Sequence, residues 1–275
     1  MNDFPAPKRF RRRTVLGSLA LAAAGTPIAI SQVADAGITT TAAAPLAPKA
    51  AKLVWSPSAA KDGLGAFEGI EDDRSHSHPG VKHIYTQGDV FRWDMHLRDR
   101  DGDDRQRNEV KGMHVGSKDL SMLKGETWRI AYEMFIPDTL KGTSSFTHIF
   151  QLKQPNGSPG AGAPLVTISL QRSGSTEYIA LRGFVSGVIV GRAPLAPLRN
   201  HWINIDMTFL VADKGQARFI VRDDGKTVVD AQKGVDIWAS TRIRPKWGIY
   251  RSIKDKAQLR DTYLLIRNFQ AYQGT

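Results

Sequence analysis

The 275-residue chain contains no cysteine, so disulfides cannot staple it and its stability must come from a buried core. Helical periodicity is nearly missing; only residues 117–123 and 235–239 read as short helical turns. Long apolar runs are missing too. The one apolar stretch, residues 15–24, is too short and too rich in alanine and glycine to span a membrane, which takes ~20 strongly apolar residues. Internal repeats are absent, and no second domain boundary follows residue 55.

What is present begins with a leader. Lys8-Arg9-Phe10-Arg11-Arg12-Arg13 is a basic segment followed by the mild apolar run, the pattern of a twin-arginine signal. Ala34-Asp35-Ala36 offers a cleavage site, and residues 42–44 offer another. Residues 1–36 are therefore expected to be a signal peptide, 37–54 a flexible linker rich in alanine, threonine and proline, and 55–275 one folded domain. The lack of cysteine fits a chain folded in the reducing cytoplasm before export to the periplasm or beyond. Net charge is +11; the leader takes five cations and two anions with it and leaves +8. An exported chain this basic attracts polyanions, which outside the cytoplasm are acidic polysaccharides, cell-wall polymers and stray nucleic acid; the alternative is that the charge only keeps the protein soluble.

From Trp55 onward a period of two dominates. Phe91, Trp93, Met95 and Leu97 alternate with Arg92, Asp94, His96 and Arg98. Trp128, Ile130, Tyr132, Met134 and Ile136 form a second such run, and Ile203, Ile205, Met207 and Phe209 a third. Turn signals separate them at Asp101-Gly102, Pro155-Asn156-Gly157, Lys214-Gly215 and Asp224-Gly225. Residues 217–222 and 226–230 around Asp223-Asp224-Gly225 read as a hairpin. Many short strands with regular turns predict an all-β sandwich.

Three strands carry polar groups on one face. Arg107, Glu109 and Lys111 share a side of the first, Gln151 and Lys153 of the second, and Lys246, Tyr250 and Ser252 of the third, where Trp247, Ile249 and Arg251 take the other side. The ordered series Arg-x-Glu-x-basic, Gln-x-basic and Lys-x-Gly-x-Tyr resembles the jelly-roll polysaccharide lyases: the alginate lyases, glucuronan lyases and relatives of heparin lyase I. The resemblance covers about residues 55 to 272. It implies a β-jelly roll, a concanavalin-like two-sheet antiparallel sandwich with a concave cleft, and cleavage of a uronic-acid polysaccharide by β-elimination.

That chemistry must neutralise a carboxylate, abstract the C5 proton and protonate the leaving oxygen. The resemblance assigns these tasks to Arg107 and Gln151 on the carboxylate and Tyr250 as acid, in cationic surroundings supplied by Lys246 and Arg107 that favour its ionised form. Lys153 stands where the family often has histidine, so the base is open between Lys153, Tyr250 itself and a histidine. Lys246, Lys111, Glu109 and Arg251 are expected to bind or orient substrate. Arg244 replaces a usual aromatic and Ser252 a usual glutamine, which leaves the polymer open. His148 alternates with Gln151 and is expected in the core, while His83 and His114 are bases that loops would have to bring in. His76 and His78 lack further ligands at usable spacing for a metal. No cofactor is expected; Asp99-Arg100-Asp101-Gly102-Asp103-Asp104 is the one calcium-like run, and its arginines favour a solvated turn.

The expected partner is thus an acidic polysaccharide, with no nucleic acid, no membrane once the signal is removed, and a monomeric chain. Two rivals remain. A non-catalytic jelly-roll module would bind the same glycan without cleaving it. A glycoside hydrolase needs two opposed carboxylates, and the chain has no Glu-x-Asp-x-Glu strand.

Overall fold

The computed structural model describes residues 51–274; the expected signal peptide and most of the expected linker lie outside them. Two antiparallel sheets stack as a sandwich. The outer sheet runs Lys226–Gly234, Gln216–Asp223, Trp202–Leu210, Thr127–Phe135, Thr262–Gly274, Val90–Met95 and Ile84–Gln87, with Lys52–Trp55 added to Thr262–Gly274. The inner sheet runs Ile189–Pro194, Thr176–Gly183, Val166–Ser173, Thr147–Lys153, Arg244–Ser252, Arg105–Lys111 and Gly69–Glu71. The three strands that carry the polar series are therefore neighbours, with Arg244–Ser252 in the middle.

The alternating runs behave as their period dictates. Phe91, Trp93, Trp128, Ile130, Met134, Ile203, Met207 and Phe209 are all buried between the sheets. Burying such side chains contributes about 1.5–3 kcal/mol each, which offsets the ordering entropy of a sandwich without disulfides. The first run stops early: the strand ends at Met95 and Leu97 is exposed, because the chain turns at His96 to cross to the inner sheet. The hairpin forms as expected, with Asp224 at φ 47° and Gly225 at φ 75° between Asp223 and Lys226.

Two local expectations change. Residues 118–120 are a strand paired with Met113–Val115, not a helical turn, and 235–239 is an irregular connection that holds no helix. The sheet also starts at Lys52, inside the expected linker. Trp55 explains this: its ring stacks on Trp247 at 5.5 Å and meets Phe67 and Phe269 at 5.8 and 5.3 Å, and its indole N–H donates to the Ala66 carbonyl at 3.2 Å. A tryptophan with that many aromatic neighbours draws the residues before it into the sheet. Among the described residues no helix is long and apolar enough to cross a membrane.

Candidate active site

The polar face of the inner sheet is set by register. Tyr250 lies opposite Arg107, Gly248 opposite Glu109, and Lys246 opposite both Lys111 and Gln151. Gly248 has φ 137°, and a Cβ there would sit 2.2 Å from the Asn108 carbonyl oxygen, so the strands approach this closely only with glycine. Around it the pairing with Thr147–Lys153 slips between Trp247 and Tyr250. The same irregularity shows on the other side of that strand, between Ile168 and Ser169.

This β-bulge corrects the expected place of His148. Simple alternation sends it to the core; the slipped register places it across from Tyr250. Its ring lies 5.8 Å from the Tyr250 ring and stacks on Phe146 at 5.2 Å, and Nδ1 is 2.8 Å from Ser169 Oγ, which in turn bonds Thr167 Oγ1 at 3.0 Å. Burial, with the Arg182 and Arg107 guanidiniums, pushes the imidazole down to about 3, so it is neutral at ordinary pH. Tyr250 Oη accepts from Arg105 Nη1 at 3.1 Å, and the Arg107 guanidinium lies 4.0 Å over its ring. Of the two cations expected around the phenol, Arg107 is there and Lys246 is not; Arg105 takes its place.

Lys246 instead donates to Glu71 Oε2 and Glu109 Oε2, both at 2.7 Å. Arg107 reaches Asp101 at 3.0 Å, Glu71 at 3.3 Å and Glu109 at 3.7 Å. The Gln151 amide donates to Glu109 Oε1. Burial alone would raise the Glu71 carboxyl, but Lys246, Arg107 and Arg74 outweigh it and hold it down to about 2. Burial would likewise lower Arg107, yet Glu109 and Asp101, with Tyr250 and Glu71, raise it. Lys111 sits at the rim, 3.9 Å from Glu71.

Two expected residues fall elsewhere. Lys153 is half-buried and its ammonium donates to the carbonyls of Ala161 and Gly162 at 2.6 and 3.0 Å, so it clasps a loop; burial, then Lys246 and Arg107, lower its pKa. Arg251 is fully buried on the opposite face, bonded to Gln106 Oε1 at 2.6 Å and the Arg260 carbonyl at 2.8 Å, and does not line the cleft. Burial lowers it to about 10. His114 pairs with Asp119 at 2.7 Å on the Met113–Val115 hairpin, away from Tyr250. The acidic run does not converge on one point: Asp99 turns to histidines, Asp101 to Arg74 and Arg107, and Asp104 to Arg105.

Residues missed in the sequence complete the site. Beside His148 a cavity of about 300 Å³ is lined by Ser169, Tyr178, Arg172, Arg182, Phe184 and Arg192, among others. Arg182 Nε is buried there without a hydrogen-bond partner. Alternation signals these side chains, since Thr167 and Ser169 interleave with Val166, Ile168 and Leu170, and Arg182 follows Leu181. A larger hollow of about 680 Å³ lies over the outer sheet, and both its arginines face Asp206: Arg129 holds it with two donors at 3.0 and 2.8 Å and Arg222 lies 3.8 Å away.

No family model matches the chain, and no curated protein matches it. Solved structures do share its fold. An endo-1,3-β-glucanase from Streptomyces sioyaensis superposes with a TM-score of 0.53 at 9% identity, over 84% of this chain and 99% of that one. An endo-β-1,4-glucuronan lyase from Trichoderma reesei gives 0.51 at 12% identity, over 82% and 96%. A marine family 7 alginate lyase from Zobellia galactanivorans gives 0.45 at 14% identity, over 80% and 92%. At such identities what is shared with the first two is the architecture, a jelly-roll sandwich on which both hydrolytic and eliminating enzymes are built.

Proposed function

We propose that the protein is a polysaccharide lyase that cleaves a uronic-acid-containing polymer by β-elimination. The observation that carries this reading is Tyr250, held between the Arg105 donor and the Arg107 guanidinium, next to a neutral His148 and a cationic cavity. In the tautomer that donates Nδ1–H to Ser169 Oγ, 2.8 Å away, the His148 Nε2 lone pair is left to take the C5 proton. The freed electron pair forms the C4–C5 double bond as the C4–O bond breaks, and Tyr250 Oη–H gives its proton to the leaving oxygen. Arg182, with its unpartnered Nε, binds the uronate carboxylate, while Arg107 supplies positive charge from beneath Tyr250. Asp101, Glu71 and Glu109 hold Arg107 in place, Gln151, Lys246 and Lys111 bind Glu71 or Glu109 in turn, and Lys153 shapes the adjoining loop.

Hydrolysis is disfavoured by the same geometry. Glu71 and Glu109 grip one ammonium and do not face each other across an open cleft, and Glu71 stays ionised to about pH 2, so it does not serve as a general acid. The glucuronan lyase that shares the fold acts on a uronic-acid polymer by its name, and the free charges of this cavity are arginines suited to such a chain. Export by the twin-arginine route would bring the basic domain to acidic glycans outside the cytoplasm. One observation favours a non-catalytic binding module instead: Arg107, Gln151 and Lys246 are already satisfied by internal carboxylates. Ultraviolet absorbance of the purified protein with a panel of uronic-acid polymers separates the two. A rise from the unsaturated uronate supports elimination; binding without any rise supports the module.

A further inference from the structure

A second cluster of chemistry-bearing side chains lies outside this site. After Gly69–Glu71 the chain crosses to the outer sheet through residues 72–83, and after Val90–Met95 it crosses back through residues 96–104. Where the two crossovers meet, His78, His83, His96 and Asp99 bring one ligand atom each to within 4.8 Å of all the others. His83 and Asp99 are buried, and the three imidazole centroids are 4.9, 5.2 and 5.3 Å apart.

Protons alone satisfy this cluster poorly. His83 Nδ1 is 2.6 Å from Asp72 Oδ1, and donating its proton there leaves a lone pair on Nε2. That lone pair faces Asp99 Oδ1 at 3.2 Å and His78 Nδ1 at 3.4 Å, while His78 Nδ1 is itself 2.9 Å from the same oxygen. His96 Nδ1 is buried with no hydrogen-bond partner, 3.4 Å from Asp99 Oδ2. Electron-rich atoms turned toward one point, two of them on the buried His83 and Asp99, are stabilised by a positive charge between them. The separations also have the right scale: a tetrahedron with zinc–nitrogen bonds of ~2.0–2.1 Å has edges of about 3.3 Å.

We propose that His78, His83, His96 and Asp99 form a zinc site that fastens the two crossovers together. Three imidazoles and a carboxylate suit zinc and not calcium, which prefers six or more oxygens. Four protein ligands make the site closed, hence structural. Asp72 orients His83 as an outer carboxylate and is itself fixed by the backbone N–H groups of His83 and Ile84 at 3.0 and 3.3 Å. The staple bears on the cleft, because Gln106 bonds the His96 carbonyl at 2.7 Å and Asp101, two residues past Asp99, holds Arg107.

The test uses the exported domain without a histidine tag, stripped with chelator and dialysed against zinc. The expected result is about one zinc per chain, a melting temperature raised by several degrees by zinc but not by calcium, and loss of the bound metal in His78→Gln and His96→Gln. Cobalt in place of zinc reports on the wild-type protein alone, through the intense visible bands of a tetrahedral ion, so the test stands even where a variant fails to fold. No retained zinc, no tetrahedral cobalt spectrum, or equal zinc binding by both folded variants overturns the site and leaves the cluster as a hydrogen-bonded contact between the two crossovers.

Discussion

The two ends of the inner sheet's polar face are built from similar residues and have opposite electrostatic fates. At the Gly69–Glu71 end, Glu71, Glu109 and Asp101 absorb Lys246, Arg107 and Arg74, and the cluster closes on itself. At the Ile189–Pro194 end, Arg172, Arg182 and Arg192 line an open cavity that no acidic residue lines. Tyr250 and His148 stand at the boundary. A charged face is thus not by itself a binding surface: the closed end is a scaffold, and only the open end has charge to offer a polyanion.

The comparison can be broken at either end. The largest effect is expected at the boundary, where Tyr250→Phe and His148→Gln each lower kcat by ~10² to 10⁴ while the melting temperature barely moves; steady-state ultraviolet kinetics beside calorimetry measures both. Next, Lys246→Met removes the ammonium shared by two buried carboxylates, which keep Arg107, Arg74 and Gln151, and costs about 3 kcal/mol of stability by denaturant titration. Equal stability would mean that the closed end is not a scaffold.

Acid should expose the same division. His148 falls from the ordinary histidine range to about 3 and Glu71 from about 4.5 to about 2, so in each case the unfolded chain binds more protons. Stability is therefore lost as pH falls from about 6.5 toward 2, and His148→Gln should flatten the upper part of that loss, between about 6.5 and 4.5, leaving Glu71 to dominate below it. The smallest effect belongs to Arg182→Met, a roughly tenfold rise in KM with little change in kcat, expected of a side chain that holds the substrate carboxylate.

Much of the fold was legible because burial enforces strict alternation. Trp128 to Met134 and Ile203 to Phe209 predict their strands without error, and Lys246-Trp247-Gly248-Ile249-Tyr250 orders the centre of the inner sheet. Arg251 shows the same rule ignored: alternation sends it to the face of Trp247 and Ile249, and it lies buried there. Alternation misplaces His148 because a one-residue bulge between it and Gln151 reverses the side chains before it relative to those after it and leaves no mark in composition. Arg182 and Ser169 were readable from alternation but lie on strands outside the resembling motifs. The histidine cluster was illegible for a different reason, since its members come from two crossovers that only the packing of the sheets brings together.

The central claim is that Tyr250 and His148 perform an elimination on a uronic-acid chain. Its most direct test is ultraviolet absorbance of the wild-type protein and of Tyr250→Phe with glucuronan, alginate and glycosaminoglycans. The account predicts a rise on at least one polymer with the wild type and none with the variant. Release of reducing ends without any ultraviolet-absorbing product, or a rise that survives in Tyr250→Phe, would contradict it.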